Sequence, residues 1–329
     1  MERTIQDLKL AFIGVSHWHV PLYLRAVTSD RLNVVAVSDD NLAFAQRTAS
    51  SLGCPAYEDA LRLLDEQKPD FVFAFAPHYK MPDLALELIS RNIPFAIEKP
   101  LGLTAEDVEQ VLHAAEDSQI FCAIPFVWRY SDLVQDFKRR VSPEDIVHLA
   151  FRFVAGPPSR YLASSRWMLE TKLAGGGCMT NLGVHFLDMA MYLTDSSSAK
   201  VLSSIYQWQS EYDIECYASS LLRLPTGASI SLETGYAYPM EVTQRDNRWN
   251  IVTKNGYFTL EQDYFEERVY GEKTIRRVMS TDSDVYYPVF VRETLRQYLA
   301  GEQPRAGLRD MLAVRRVLDE MNRQGQKLL

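Results

Sequence analysis

Residues 8–16 read Leu-Lys-Leu-Ala-Phe-Ile-Gly-Val-Ser, a short apolar run that stops at Gly14. This run is the first of several that alternate with amphipathic segments over roughly the first 125 residues. Strands are predicted at 8–13, 32–37, 71–76, 95–97 and 121–124. Helices are predicted at 20–27, 41–52, 82–91 and 104–116, the last opened by Thr104. Apolar strands that alternate with helices predict an α/β domain with a doubly wound parallel sheet, covered on both faces.

The pattern changes after Phe126. A helix is predicted at 132–140 and a strand at 147–154, and the triplet Gly175–Gly177 precedes an amphipathic helix at 179–193. Further strands are predicted at 201–209, 217–224, 229–236, 249–253 and 257–260, and closing helices at 289–300 and 308–323. Successive strands of this kind favour an α+β domain with a large, mainly antiparallel open sheet. We therefore expect two domains, 1–126 and 127–329.

Composition limits the partners. The 329 residues are 47% hydrophobic and 24% charged, with a net charge of −8. These values are ordinary for a globular protein, and the acidic balance argues against nucleic acid as a partner. No secretion signal and no membrane-spanning segment is expected. The four cysteines are expected to be reduced thiols, which favours a cytoplasmic protein: Cys54, Cys122, Cys178 and Cys216.

Two features indicate a dinucleotide site at the N-terminal end. Gly14 closes the first predicted strand, where a tight turn aims amides and a helix N-terminus at a pyrophosphate. Asp39 follows the second predicted strand, where a carboxylate accepts ribose hydroxyls and repels the extra phosphate of NADP. NAD is therefore the expected cofactor. The alternative for Asp39 is a solvated loop acid or a helix N-cap, a role that Asp40 could also fill.

His17-Trp18-His19 allows a second interpretation, because paired imidazoles after a first strand also begin the metal sites of barrel-type hydrolases. A barrel, however, would keep alternating strand and helix to its end, and the second half of this chain does not. We expect His17 and Trp18 to lie along the pyrophosphate, His19 to open the helix, and no metal to be bound.

The stretch Phe95-Ala96-Ile97-Glu98-Lys99-Pro100 delivers a glutamate and a lysine to the carboxyl edge of the sheet, where ligands bind in open α/β sheets. The following proline restricts Lys99 and suggests a cis peptide bond. A lysine at this edge can stabilise a substrate alkoxide as hydride leaves.

Together these motifs resemble the Gfo/Idh/MocA family of sugar and inositol dehydrogenases, over nearly the whole chain. The resemblance rests on the Gly14 turn, Asp39, Ala76-Pro77-His78, Glu98-Lys99-Pro100, Gly175–Gly177 and the stretch from Asn181 to Asp188, which includes His185. It implies a Rossmann domain followed by a domain that binds a small-molecule substrate and assembles homo-oligomers, dimers or tetramers.

The resemblance also implies roles for residues. Lys99 would be the catalytic lysine and His185 the acid/base histidine, with Asn181 and Asp188 on the same helix face. The cofactor would contact Gly14, Ser16, His17, Trp18, Asp39, Ala76, Pro77, His78, Glu98 and Lys99. The substrate would contact Arg129, Trp167, Asp188 and Tyr236; Tyr161 and Arg166 are further candidates.

This sequence departs from the family pattern in three places. Asn181 stands where the family has aspartate, and an amide adds no negative charge, so His185 should be a weaker base. The later glycines of the phosphate loop are missing. Met81 replaces a common histidine.

We expect an NAD-dependent oxidoreductase acting on a CH–OH group of a sugar, polyol or related molecule. Two alternatives stay open: a non-catalytic, NAD-binding sensor or regulator, which Asn181 favours, and an enzyme whose retained NAD serves elimination or glycoside cleavage.

Overall fold

A computed structural model describes residues 3–163, 165–209, 211–239, 245–261 and 263–325. The chain forms two compact units. The first consists of the residues up to Pro125 together with Asp284–Met311, and the second of Phe126–Ser283 together with the residues from Leu312 onward. The segment Asp284–Met311 thus groups with the N-terminal residues, although it was predicted to belong to the second domain.

The first unit contains a six-stranded sheet. Its strands are β1 Leu10–Ile13, β2 Val34–Ser38, β3 Ala56–Tyr57, β4 Phe71–Ala74, β5 Phe95–Ile97 and β6 Cys122–Ala123. They lie in the order β3-β2-β1-β4-β5-β6, and every pair is parallel. All residues of β1, β4 and β5 are buried, as their continuous apolar sequences predict. The chain reverses its direction of progress between β1 and β4, where ligands bind in open α/β sheets.

The helices between these strands are α1 Val20–Asp30, α2 Leu42–Leu52, α3 Ala60–Gln67, α4 Met81–Ser90 and α5 Ala105–Asp117. Thr104 opens α5 as predicted: its hydroxyl accepts the Asp107 amide and the Asp107 carboxylate accepts the Thr104 amide. Neither β3 nor α3 was predicted, because a two-residue strand and an eight-residue helix carry little periodicity.

The second unit contains an eight-stranded sheet. Its strands are β7 Ile146–Val154, β8 Lys200–Trp208, β9 Glu215–Arg223, β10 Ser229–Gly235, β11 Asp246–Thr253, β12 Gly256–Glu261, β13 Tyr264–Val269 and β14 Ile275–Val278. The order is β14-β13-β12-β11-β7-β10-β9-β8, and only the β7–β10 pair is parallel. The mainly antiparallel sheet confirms the prediction. Strands β13 and β14 were not predicted, because their sequences are rich in Glu and Arg and lack an apolar run.

The helices of this unit are α6 Asp132–Arg140, α7 Thr171–Ala174 and α8 Val184–Leu193. Helix α8 packs on the sheet through Phe186, whose ring lies 5.3 Å from the Phe151 ring and 6.4 Å from the Trp249 ring. Regular helix was predicted from Met179, but Met179–Gly183 form a π-helical turn before α8 begins. Apolar periodicity cannot separate the two helix types over a single turn.

Two closing helices, α9 Tyr287–Leu299 and α10 Leu308–Gln324, confirm the prediction. Within the first unit α9 packs on α1, where the Phe290 and Tyr23 rings are 5.8 Å apart and Arg292 pairs with Asp30. In the described ranges no helix combines the length and apolar character that crossing a membrane requires. All four cysteines are free thiols.

Candidate active site

The turn after β1 depends on Gly14. Its φ of +79° lies in the left-handed region, and a Cβ added there would sit 2.0 Å from the Phe75 carbonyl oxygen. The strand that precedes Phe75, β4, pairs with β1, so the turn and the neighbouring strand end are in close backbone contact. Only glycine fits this position.

Asp39 follows β2 and connects that strand end to the turn. One carboxylate oxygen accepts the Ser16 amide at 2.6 Å, and the other accepts the Asn41 amide at 2.9 Å. Asn41, and not Asp40, caps α2 through its side chain. Asp40 instead forms a surface ion pair with Lys80. Asp39 is therefore a buried carboxylate bound to the turn itself.

His17 presents a buried hydrogen-bond donor. Its Nδ1 accepts the His19 amide at 3.3 Å, and its ring stacks on Trp18 with centroids 3.8 Å apart. Burial, with a smaller contribution from His19, holds the pKa of His17 well below its usual value. The ring is thus neutral and carries its proton on Nε2. In the part of the chain that the structure describes, this Nε2 has no hydrogen-bond partner.

Glu98 follows β5, and its side chain is fully buried. Its carboxylate accepts the Tyr23 hydroxyl at 2.8 Å and lies 3.0 Å from Nδ1 of His19, which also contacts the Tyr287 hydroxyl at 3.2 Å. Burial alone would raise the pKa of Glu98, but the nearby His19, His17 and Lys99 outweigh it and the pKa is lowered. Glu98 is therefore an ionised anchor for these side chains.

The same histidines bear on the metal alternative. His17 and His19 contact protein groups, and within the described ranges no group of three or more His, Cys, Asp or Glu side chains is arranged to hold a metal ion. The metal alternative required a barrel fold, and that fold is wrong for this chain, because the first sheet is open and has six strands.

Lys99 is 2% exposed, and its peptide bond to Pro100 is cis. Burial lowers the pKa of Lys99 to about 8, against the opposing effect of Glu98. Ala76, Pro77 and the buried His78 follow β4, which lies between β1 and β5. Parallel strands end at the same edge, so Gly14, Pro77 and Lys99 share the carboxyl edge of one sheet.

In the second unit, Asn181 lies in the π-helical turn and contacts two tyrosines. Its Nδ2 donates to the Tyr161 hydroxyl at 3.0 Å and to the Tyr236 hydroxyl at 2.9 Å. Burial raises the pKa of Tyr236 well above its usual value, so this phenol stays protonated. The structure thus brings together Asn181, Tyr161 and Tyr236 from distant parts of the sequence.

Arg129 and Asp188 were both predicted to contact substrate, and the structure pairs them with each other. The Arg129 Nε lies 2.9 Å and its Nη2 2.6 Å from the Asp188 carboxylate, and both residues are buried. The guanidinium also lies 4.6 Å from the centre of the Tyr192 ring. A bidentate buried pair of this kind positions a helix on its neighbour.

His185 lies in the first turn of α8, with its ring 6.5 Å from the Phe126 ring. Trp167 belongs to the short 3-10 helix Arg166–Leu169. Asn181 and Asp188, predicted to share a helix face with His185, hydrogen-bond to different partners, Tyr236 and Arg129.

Glu215, the first residue of β9, was missed. Its carboxylate accepts the amides of Gly177 at 2.6 Å and Met179 at 2.9 Å, at the start of the segment that carries Asn181 and His185. A Cβ on Gly177 would lie 2.1 Å from the Glu215 carbonyl oxygen, which explains one glycine of the triplet. No pattern in the sequence marked Glu215, because it lies outside the strand predicted at 217–224.

We expect Glu215 to make stability depend on pH. Burial raises its pKa to about 7, so the folded state holds its proton more tightly than the unfolded chain, whose pKa is near 4.5. This proton contributes about 3 kcal/mol to the free energy of unfolding. The contribution is fully present below pH 4.5 and is lost as the pH rises through 7. When urea unfolding is measured from pH 4.5 to 8, the free energy of unfolding of the wild type should fall by this amount relative to that of Glu215→Gln. The exposed Glu261→Gln is the control, and parallel pH curves for wild type and Glu215→Gln would contradict the expectation.

Two family models match the chain. Residues 8–126 match the GFO_IDH_MocA model, described as an oxidoreductase family with an NAD-binding Rossmann fold, and residues 145–259 match a GFO/IDH/MocA C-terminal domain.

Individual relatives are distant. The chain is 23% identical over 177 residues to the rhizopine catabolism protein MocA of Rhizobium meliloti, covering 53% of each chain. It is 22% identical over 207 residues to scyllo-inositol 2-dehydrogenase (NAD(+)) of Bacillus subtilis, covering 61% of this chain and 57% of that protein. These matches span little more than half the length of either relative.

Among solved structures, GenD2 from gentamicin A biosynthesis in complex with NAD matches with a TM-score of 0.84, 17% identity, and coverage of 99% of this chain and 95% of that chain. At this identity the likeness shows the fold. The two sheets, the family models and this likeness agree, and the chain belongs to the Gfo/Idh/MocA family of oxidoreductases, with the family's NAD-binding Rossmann fold in its first unit.

Proposed function

We propose that this protein is an NAD-dependent dehydrogenase that oxidises a CH–OH group of a sugar, polyol or related small molecule. The observation that carries the proposal is Lys99, a buried lysine with a pKa of about 8 at the carboxyl edge of the sheet. A buried cationic group that titrates near neutral pH suits proton and alkoxide chemistry. The named activity of the Bacillus relative, an inositol dehydrogenase that uses NAD, supports the same reaction class.

The residues at this edge fit a dinucleotide. The dinucleotide would be lined by the Gly14 turn, Ser16, Trp18, Ala76, Pro77 and His78. The Nε2 proton of His17 offers a buried donor to one oxygen of the dinucleotide. Asp39 would face the adenosine ribose, and Glu98 would support the nicotinamide side. NAD, when bound, supplies a hydride acceptor.

The chain's own residues supply the remaining chemistry. Lys99 holds the substrate hydroxyl oxygen and stabilises negative charge on it as the carbon is oxidised to a carbonyl. His185 takes the hydroxyl proton. The substrate site around His185 would be formed by Asn181, Trp167, Asp188, Arg129 and Tyr236. Because Asn181 adds no negative charge near His185, the histidine is a weaker base than one beside aspartate.

The test follows NADH absorbance while the protein is offered NAD and a panel of sugars and polyols. Formation of NADH with matching amounts of oxidised product supports the dehydrogenase. NAD binding without turnover of any substrate would favour the sensor or regulator. Formation of an elimination or glycoside-cleavage product without net formation of NADH would favour the enzyme that retains its NAD.

We predict that Asp39 sets the preference for NAD. Asp39→Asn removes the charge that repels the NADP phosphate and keeps a side-chain oxygen for the Ser16 or Asn41 amide. A repulsion of about 1–4 kcal/mol corresponds to a fall of about fivefold or more in the ratio of the NADP to the NAD dissociation constant. Calorimetric titration with both nucleotides measures it, with Asp40→Asn as the neighbouring control. Equal affinities of the wild type for NAD and NADP would refute the prediction.

We also propose a cytoplasmic homo-oligomer. The four free thiols suit a reducing compartment. On the eight-stranded sheet, three apolar side chains are exposed at strand positions next to buried ones: Ile205, Leu221 and Tyr257. Exposed apolar side chains on a sheet suit contact with another subunit. Light scattering on the purified protein measures the assembly, and a monomeric mass would contradict the proposal.

A further inference from the structure

Arg160 lies in the short 3-10 helix Pro158–Tyr161 of the second unit, next to Tyr161, which contacts Asn181. Its Nη2 donates to the Tyr161 hydroxyl at 2.7 Å. The guanidinium carbon lies 4.7 Å from the centre of the Tyr161 ring and 5.3 Å from that of the Tyr236 ring. The cation is thus held against both phenols that contact Asn181.

Arg160 has no acidic partner among the described residues, whereas three arginines of the same unit do. Arg129 pairs with Asp188, Arg140 with Glu267 and Arg152 with Glu233. Within the described residues no carboxylate oxygen comes within 4.0 Å of the Arg160 guanidinium nitrogens. Its Nε is buried and makes no hydrogen bond there.

This arrangement is costly unless a ligand completes it. A buried donor without an acceptor costs about 1–3 kcal/mol, and stacking on two rings returns only part of that. A guanidinium carries five donors in a planar fork that matches the two oxygens of a carboxylate or phosphate. The tyrosines hold the fork in place, so little side-chain entropy is lost when an anion binds.

Arg160 lies close to the helical segment that carries the proposed acid/base residue His185. Tyr161 accepts hydrogen bonds from both Arg160 and Asn181, so one phenol oxygen separates the guanidinium from the helical segment that carries His185. An anion on Arg160 would therefore belong to the molecule that reacts near His185.

We propose that Arg160 binds substrate, and that the substrate is an acidic sugar or polyol derivative whose carboxylate or phosphate pairs with the Arg160 guanidinium. The proposal rests on the proposed dehydrogenase function and narrows it to anionic substrates.

The test compares matched probes by calorimetry in the presence of NAD and by NADH formation. D-glucuronate and D-gluconate carry a carboxylate, D-glucose 6-phosphate carries a phosphate, and D-glucose and D-sorbitol are neutral. Wild type should bind at least one anionic class about tenfold or more tightly than the neutral probes, and the two anionic arms distinguish carboxylate from phosphate.

Three variants assign the effect. Arg160→Gln should weaken binding of the anionic probes by about 10–100-fold and leave neutral probes unchanged, since a charge-assisted pair is worth about 1.5–3 kcal/mol. Arg160→Lys keeps the charge but loses the fork and should recover only part of the affinity. Arg139→Gln, which removes an exposed arginine of α6, should change neither class.

The outcomes separate this inference from the proposed function. Arg160-dependent binding of an anion without NADH formation supports the inference and contradicts the dehydrogenase. Oxidation of neutral probes, with anions bound no better and Arg160→Gln without effect, overturns the inference and leaves the dehydrogenase standing. Equal losses for anionic and neutral probes would assign Arg160 a structural role, and failure of every anion to bind would also overturn the inference.

Discussion

Replacing Lys99 with methionine lowers kcat for NADH formation by about 10²–10⁴-fold, with a much smaller change in substrate KM. Methionine has a similar length but cannot donate a hydrogen bond or carry charge, so the substrate alkoxide loses its stabilising partner in the transition state. Steady-state kinetics with the substrate found in the screen measure the effect.

The low pKa of Lys99 gives the same variant a second readout that needs no substrate. Burial depresses the folded pKa to about 8, below the usual 10.5. The folded state therefore binds fewer protons than the unfolded chain between these values, and wild-type stability rises with pH through that window. Below pH 8 the buried ammonium costs about 3 kcal/mol, so Lys99→Met should be the more stable protein at pH 7 and lose this advantage near pH 10.

Lys172→Met is the matched control, because Lys172 is an exposed lysine whose partner is Glu170. It should change neither kcat nor the pH dependence of stability. Retention of more than a tenth of the wild-type kcat by Lys99→Met would remove Lys99 from the proposed mechanism.

Replacing Gly14 with alanine destabilises the first unit by about 2–5 kcal/mol and abolishes NAD binding. The φ of +79° costs an alanine about 1–2 kcal/mol, and its Cβ would lie 2.0 Å from the Phe75 carbonyl oxygen, a clash that only backbone movement relieves. That movement separates β1 from the chain after β4, where the proposed cofactor residues lie. Urea unfolding and NAD titration measure the two effects.

Gly53→Ala separates the two causes. Gly53 has a similar φ of +69°, but no atom lies within 4 Å of an added Cβ. This variant should lose only the conformational part, about 1–2 kcal/mol, and should bind NAD normally. Equal losses of stability in the two variants would show that the close approach to Phe75 does not matter.

The places of Gly14 and Lys99 after two strands of the first sheet were predicted correctly because the signals for them are local. Gly14 follows β1, where the turn beside Phe75 needs a glycine, and Lys99 comes two residues after β5, between the apolar strand and Pro100. The departures at Asn181 and Met81 were also visible in the sequence, since a residue type is read directly.

Side-chain partners over long separations were not visible. Asp188 and Arg129 were each predicted to contact substrate, but the buried ion pair that joins them across 59 positions was not predicted. Glu215 caps a helical segment 36–38 positions earlier, and no local pattern marks such a contact. Pairings of this kind follow from which strands and helices become neighbours.

The sequence by itself determined the alternation of apolar strands and helices, the antiparallel second sheet and the family, because each follows from the order and spacing of residues along the chain. Only the tertiary structure decided that Asp39 binds its own turn, that Glu98 anchors His19 and Tyr23, and that Arg160 lies against Tyr161 and Tyr236 near Asn181. Burial and hydrogen-bond partners are properties of neighbours in space, and a charge's chemistry depends on those neighbours more than on its position in the chain.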